Sequence, residues 1–355
     1  MQLESYFDEF ATRDWQEASG DPIRYAVVGC GWFTEAFALP AIDTGDLCEL
    51  AVLVSGSPDR AESLAAEFDA DHVIDYDAFH EGAVTGAYDA VYVCTPNVTH
   101  LGHVEAAASL GKDVLCEKPL EVNAARTERM VEVCEDASVT LMTAYRQQAE
   151  PGIRRIRDLV RDGLIGTPVS ASGNFSITLL GRDADTDQWR LDPEMAGGGA
   201  LVDIGLYPLN TLRFVTGADP VAVSAETKTT DDRMTGVEEH IAFELSFPGP
   251  LTAAFTSSYG ASVDDRLTIV GTEGSVTFDS AFFPEVERTF HIERDDMSMS
   301  LDGGGVSGIE EEFDYFANCL LTGTDPEPDG QDGLVDARTV DAIYEAADHG
   351  HRVEL

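Results

Sequence analysis

The chain has 355 residues, 43% hydrophobic and 25% charged, enough for two domains with substantial cores or for one large barrel. Its 66 acidic residues against 22 basic ones leave a formal charge of −44, which repels nucleic acids and anionic membranes and sets both aside as partners. The acids are spread along the whole chain; their mutual repulsion becomes tolerable where the Debye length shrinks to about 3 Å, near 1 M salt, so a cytoplasm holding molar salt is the expected setting.

Residues 1–22 read as a short amphipathic extension, with Leu3, Phe7 and Phe10 at helical spacing and an end at Asp21-Pro22. The acidic start "MQLESYFDEFATRDW" lacks a continuous apolar stretch and is not expected to be a secretory signal. Residues 23–145 alternate between two grammars. Apolar runs at 24–28, 49–54, 90–94, 113–117 and 139–143 predict strands. Helical periodicity in "PDRAESLAAEF" and "VTHLGHVEAAASLG" separates them, which implies right-handed βαβ units and a parallel sheet.

After Tyr145 the pattern changes, and residues 146–355 are expected to form a second, α/β domain. One helix, "PGIRRIRDLVRDGLIG", precedes long alternating runs at 167–178, 240–247 and 251–259. Turn signals at Pro248-Gly249 and Glu273-Gly274 point to hairpins in a large, mostly antiparallel sheet. A last helix is expected over 334–348. The six cysteines are scattered with no CxxC pair and read as small hydrophobes. No apolar run reaches the length of a membrane span, and no residue cluster has metal-ligand spacing.

The chemistry concentrates at strand ends. Gly29 and Gly31 in "YAVVGCGWFTEAF" follow the first strand and open a helix, either as a plain structural turn or as the turn that lets backbone approach a dinucleotide pyrophosphate. Thr34 stands where that fingerprint has its third glycine or alanine, a departure that weakens the match on helix–strand packing. The second strand ends in Ser55-Gly56-Ser57 with Arg60 following. In a chain with 66 acids, the lack of a carboxylate there favours NADP, with NAD weaker, because a 2′-phosphate is then accepted. Ser57-Pro58 reads equally as a helix N-cap and first turn. Asp203 and Tyr207, after Gly197-Gly198-Gly199, are spaced to share one helix face and to reach one hydroxyl. Only three lysines occur, and one, Lys118, sits between Glu117 and Pro119 at the end of an apolar strand.

In this order, "CTPNVTH" (94–100), "CEKP" (116–119), "YR" (145–146) and "WRLDPEMAGGGALVDIGLYP" (189–208) resemble the Gfo/Idh/MocA oxidoreductases, over nearly the whole chain from Ile23. Within that family the acidic N-terminal stretch looks like the halophilic archaeal D-xylose 1-dehydrogenases. The resemblance implies a Rossmann domain followed by a domain whose open sheet mediates homodimer or homotetramer contacts. It implies Lys118, Tyr207 and Asp203 as the catalytic set. Tyr207 would be the base, and the Lys118 ammonium would favour its phenolate. Cofactor contacts are implied for Gly29, Gly31, Trp32, Phe33, Ser55, Ser57, Arg60, Thr95, Pro96, Asn97, His100, Glu117, Lys118 and Arg146. His100 reads equally as a helix N-terminal hydrogen-bonding residue. Trp189 and Arg190 would line a sugar pocket, although a tryptophan in such a stretch also reads as core.

The expected activity is oxidation of the C1 hydroxyl of an aldopyranose, D-xylose foremost, to its lactone with NADP and no metal. Two alternatives stand beside it. One is a related enzyme of the glucose–fructose oxidoreductase, inositol or dihydrodiol dehydrogenase kind. The other is a non-catalytic NADP-binding redox sensor, against which the joint presence of Lys118, Asp203 and Tyr207 argues.

Overall fold

A computed structural model of the chain describes residues 10, 12–16, 18–181, 184, 186–283, 286–303, 305 and 307–355. Leu3 and Phe7 of the expected amphipathic extension lie outside these. The described residues 10, 12–16 and 18–20 include none assigned to a helix, and Phe10 is buried edge-on against Phe290. The chain divides into two compact units: residues 15–149 with 308–334, and residues up to 14 with 150–307 and 335–355.

The first unit is built on a six-stranded parallel sheet in the order β3-β2-β1-β4-β5-β6. Its strands are β1 (Ile23–Val28), β2 (Cys48–Val54), β3 (His72–Ile74), β4 (Ala90–Val93), β5 (Asp113–Glu117) and β6 (Leu141–Ala144). Five lie where the apolar runs predict them; β3, only three residues long, carries too little pattern to be read. Tyr25, Val27, Leu53, Tyr92, Leu115 and Met142 face one core. Ala26, Val28, Val52, Val54, Val91, Val93 and Val114 face the other. Burial on both faces is why these strands read as unbroken apolar runs. The order reverses between β1 and β4, and open parallel sheets bind ligands in the crevice at the carboxyl ends of such strands.

Residues 308–334, assigned above to the second domain, belong to the first unit. The helix Gly308–Thr322 places Phe313 edge-on against Tyr92, with ring centroids 4.8 Å apart, and against Tyr25 at 5.4 Å. The Tyr25 hydroxyl donates to the Phe313 carbonyl at 3.1 Å, and buried Asp314 accepts the Leu47 N–H at 2.9 Å. Aromatic burial of this size is worth several kcal/mol. It draws this late segment onto the early sheet.

The second unit carries a nine-stranded mixed sheet in the order β14-β13-β12-β11-β7-β10-β9-β8-β15. The strands are β7 (Pro168–Thr178), β8 (Ala222–Lys228), β9 (His240–Ser246), β10 (Thr252–Ser258), β11 (Gly260–Gly271), β12 (Gly274–Asp279), β13 (Thr289–Arg294), β14 (Met297–Asp302) and β15 (Val353–Glu354). All neighbours are antiparallel except β7 and β10, which run parallel, a long-range pairing that local pattern does not encode. One face packs Phe243, Phe255, Leu267, Ile269 and Phe278 against Ile153 and Ile156 of the helix Pro151–Arg161 and Leu209 and Leu212 of the helix Leu206–Thr216. On the other face Glu244, Thr252, Ala254 and Thr256 are exposed, as the period-two pattern requires.

Candidate active site

Within the first unit the expected nucleotide residues gather at the carboxyl edge of β1, β2, β4 and β5. Gly29 has φ +102°, and a Cβ there would overlap the Cys94 carbonyl, so both its conformation and the approach of β4 require glycine. Gly31 differs. Apart from its immediate chain neighbours, nothing lies within 4 Å of the position its Cβ would take, so packing does not explain the missing side chain. The open turn stands at the head of the following helix, where backbone N–H groups favour anions. Trp32 beside it is 66% exposed, an aromatic surface that the protein itself leaves open. Phe33 is half-buried and lies tilted against Phe37, with centroids 5.2 Å apart.

Thr34 departs from the fingerprint yet fits the turn. It is fully buried, and its hydroxyl donates to the Gly29 carbonyl at 2.7 Å, closing the turn from inside. It opens a π-helical turn, Thr34–Ala38, that leads into the helix Leu39–Thr44.

At the end of β2, the Ser55 hydroxyl accepts the Ser57 N–H at 3.0 Å, an arrangement that shapes the loop. Ser57 is the N-cap of the helix Pro58–Glu67 but makes no side-chain capping bond. Arg60 is exposed and ion-paired with Glu35. Any 2′-phosphate that engages this arginine must therefore displace or share that carboxylate.

After β4, Asn97 is buried, and the Thr99 hydroxyl bridges Thr95 Oγ1 at 2.8 Å and the Pro96 carbonyl at 2.7 Å. His100 is corrected as a cofactor contact. It is fully buried, with Nε2 2.8 Å from the Thr95 carbonyl and Nδ1 3.2 and 3.1 Å from the carbonyls of Pro119 and Leu120. It ties the loop after β4 to the loop after β5 and acts on the site only through them. It is the first residue of the helix His100–Ser109, in keeping with the alternative reading of a helix N-terminal hydrogen-bonding residue.

Lys118 stands at the carboxyl end of β5, half-buried, with a cis peptide to Pro119. Beneath it, Glu117 accepts the Tyr92 hydroxyl at 2.8 Å and the Lys118 N–H at 3.2 Å, so its carboxylate is spent on holding the strand end. Arg146 is buried, and the carboxyl group it faces is Glu312 of the returning helix. Burial, reinforced by the Glu117 carboxylate and opposed by Arg146, pushes the Glu312 carboxyl well above its ordinary range. Its Oε1 is buried with no hydrogen-bond partner.

Within the second unit, the expected substrate residues are organised by groups the sequence reading missed. Leu201–Gly205 is π-helical and runs into the helix Leu206–Thr216, the Leu206 N–H bonding back to the Leu201 carbonyl. Asp203 and Tyr207 are therefore not in the α-helical register that their spacing of four predicted. Asp203 Oδ2 accepts the Tyr259 hydroxyl at 3.0 Å and lies 3.4 Å from Arg190 Nε. Tyr207, half-buried, rests edge-on against Phe175 at 5.5 Å and tilted on Phe282 at 5.9 Å. Trp189 is half-buried on a 3₁₀ turn, with the Arg190 guanidinium over its ring at 4.6 Å. Arg190 thus holds Asp203 and caps Trp189 at once.

The glycine run ahead of Asp203 is held by Glu238, whose carboxylate accepts the Gly199 and Leu201 N–H groups, each at 2.8 Å, and the Tyr344 hydroxyl at 3.0 Å. A Cβ on Gly198 would overlap that same Tyr344 hydroxyl. Burial pushes the Glu238 carboxyl up while its donors pull it back. Glu238, Tyr259 and Tyr344 carry no local motif; only strand and helix packing between distant segments brings them to the turn. Among the described residues no group of three or more His, Cys, Asp or Glu side chains could hold a metal ion, and no helix is long and apolar enough to cross a membrane.

Comparison with known proteins agrees with this layout. Residues 23–145 match the oxidoreductase family with the NAD-binding Rossmann fold, and residues 153–277 match the GFO/IDH/MocA C-terminal domain. The D-xylose 1-dehydrogenase [NADP(+)] of Haloarcula marismortui is 46% identical, covering 100% of both chains. The D-xylose 1-dehydrogenase (NADP(+)) 2 of Haloferax volcanii is 32% identical over 93% of this chain and 99% of its own. Among solved structures, the aldose-aldose oxidoreductase of Caulobacter crescentus superposes with a TM-score of 0.89 at 33% identity, covering 94% of this chain and 100% of its own.

Proposed function

This chain belongs to the Gfo/Idh/MocA oxidoreductase family, and we propose that within it the protein oxidises the C1 hydroxyl of an aldopyranose, D-xylose foremost, to the lactone with NADP as acceptor. The observation that carries the choice of sugar and nucleotide is the 46% identity, end to end, to the Haloarcula NADP-dependent D-xylose 1-dehydrogenase. The geometry supports the chemistry. Gly29, Gly31 and Trp32 present an open glycine turn at the order reversal of the first sheet, and Lys118 stands at a neighbouring strand end.

Bound NADP supplies the hydride acceptor. The protein's share is binding, orientation and proton management. Tyr207 takes the hydroxyl proton as the C–H bond is oxidised. Lys118 places an ammonium charge that favours the developing negative charge on oxygen. Asp203 accepts a hydrogen bond from a sugar hydroxyl and turns the ring toward reaction. Arg60 takes the 2′-phosphate, exchanging Glu35 for it. The protein works as a homodimer or homotetramer through its second sheet, in a salt-rich cytoplasm.

The test is a panel of pentoses, hexoses and polyols with NADP or NAD in molar salt, read at 340 nm. D-Xylose with NADP should give the highest kcat/KM; absence of NADPH with every aldose would sink the proposal. A second reading, an enzyme that keeps its nucleotide and passes hydride between two sugars, is favoured by the likeness to the Caulobacter aldose-aldose oxidoreductase. Nucleotide that copurifies and is reduced by one sugar and reoxidised by another, without release, would select it.

A further inference from the structure

We propose that Tyr259 is a positioning residue for the sugar, acting through Asp203, and that Asp203 is useful only because two grips hold it from one shared anchor. The inference rests on the reading that Asp203 receives a sugar hydroxyl.

The hold on Tyr259 starts at its backbone. Tyr259 lies between β10 and β11, and its own N–H donates to the Glu239 carbonyl at 2.8 Å while its carbonyl accepts the Leu179 N–H at 2.9 Å. Its ring is 1% exposed, so the hydroxyl has one place to go. That place is Asp203 Oδ2, at 3.0 Å. The next residue along, Glu238, grips the other side of the same structure: its carboxylate takes the Gly199 and Leu201 N–H groups that lead into Asp203. Residues 238 and 239 therefore hold the turn that carries Asp203 and the tyrosine that holds its side chain. A shift in one is transmitted to the other.

Burial, with the Asp203 carboxylate beside it, pushes the Tyr259 hydroxyl well above its ordinary range, so it stays a neutral donor at any working pH. Arg190 Nε approaches the same oxygen from a more exposed position, at 3.4 Å. Two donors on one carboxylate oxygen set the plane in which the other oxygen lies. A neutral donor and a cation together also favour the anionic acceptor that a sugar hydroxyl needs. A tyrosine doing this work differs from a packing tyrosine in one measurable way. Removing its hydroxyl leaves the ring, and hence the core, in place.

The experiment uses Tyr259→Phe, Asp203→Asn and the double variant in the full-length protein, with steady-state kinetics in sugar and in NADP and a direct nucleotide-binding measurement. Tyr259→Phe should lose about tenfold to a hundredfold in kcat/KM for the sugar, the range spanned by one hydrogen bond to a charged group, while nucleotide affinity stays within about twofold. The double variant should be no more than about twofold worse than Asp203→Asn alone, because the tyrosine has no other route to the substrate. Wild-type kcat/KM in Tyr259→Phe, a parallel loss of nucleotide affinity, or losses that multiply in the double variant would each overturn the positioning role. Asp203→Asn at near wild-type turnover would instead remove the underlying reading of Asp203. Should Tyr259→Phe fail to fold, Arg190→Gln probes the same oxygen from its more exposed side. A several-fold loss in sugar kcat/KM supports the shared grip, and none overturns it.

Discussion

Lys118 is one of three lysines in a chain whose other nineteen basic side chains are arginines, and its position at the end of β5 gives that choice a reason. Lysine is a compact charge with three rotatable donors, whereas arginine is a planar fork that stays charged. Lys118→Arg should keep the fold and NADP binding and lose at least about a hundredfold in turnover, the lower end of typical acid–base contributions. Tyr207→Phe should lose a similar amount, and the double variant little more, since the two are proposed to act as a unit. Turnover near wild type in Lys118→Arg would reduce this lysine to a bare charge. Arg60 poses a different question, because Glu35 already occupies it. An exposed pair of this kind is worth about 0–1 kcal/mol, so a phosphate can displace it. Arg60→Ala should raise the KM for NADP much more than that for NAD, and Glu35→Gln should lower the KM for NADP. Equal effects on both nucleotides would show that neither residue meets the 2′-phosphate.

At the scale of elements, the helix Gly308–Thr322 decides how the first unit is closed. It docks through Phe313, Phe316 and Asp314 and buries Glu312 near the Glu117 carboxylate and Arg146. The Glu312 carboxyl is raised in the folded protein, so the unfolded chain gives up its proton at lower pH than the folded one does. The sign follows from linkage. Its contribution to stability is full below the ordinary carboxyl range, near 4.5, and is lost as pH rises through the raised folded value. Glu312→Gln should therefore leave the melting temperature near wild type at about pH 5 and raise it increasingly toward pH 8. A difference that stays constant across that range would mean the carboxyl is not protonated in the fold. The two π-helical turns, Thr34–Ala38 and Leu201–Gly205, show the same point from another side. Each sits where a candidate ligand-binding segment enters a helix, and such turns recur at functional sites. A reading by α-helical spacing misplaces side chains at both.

At the scale of the whole molecule, −44 formal charges make stability a function of salt. At 0.1 M the screening length is about 10 Å, long enough for neighbouring acids to repel across the surface. The melting temperature should fall steeply from molar salt to about 0.1 M; an unchanged value would remove the argument from charge. The outer face of the second sheet, rich in serine, threonine and alanine around Ala254 and Thr256, is where we expect subunits to meet. Light scattering in molar salt should give a dimer or a tetramer, and a monomer would refute this.

Read as a sequence, the chain already determined the parallel sheet, because strands buried on both faces have no choice but to be apolar throughout. It likewise determined the glycine turn at Gly29 and Gly31, the strand-end lysine and the antiparallel runs of the second unit, all of them local patterns. What it could not determine depends on residues that meet only after folding. Residues 308–334 join the first sheet because Phe313 finds Tyr25 and Tyr92 nearly 300 residues upstream in one case and more than 200 in the other. The two readings of His100 separate only when the Pro119 and Leu120 carbonyls come within reach of its ring. Asp203 acquired Tyr259, and its glycine run acquired Glu238 and Tyr344, through strand and helix packing that no spacing records. Local sequence sets which residues are available for chemistry; long-range packing sets which of them are held still enough to perform it.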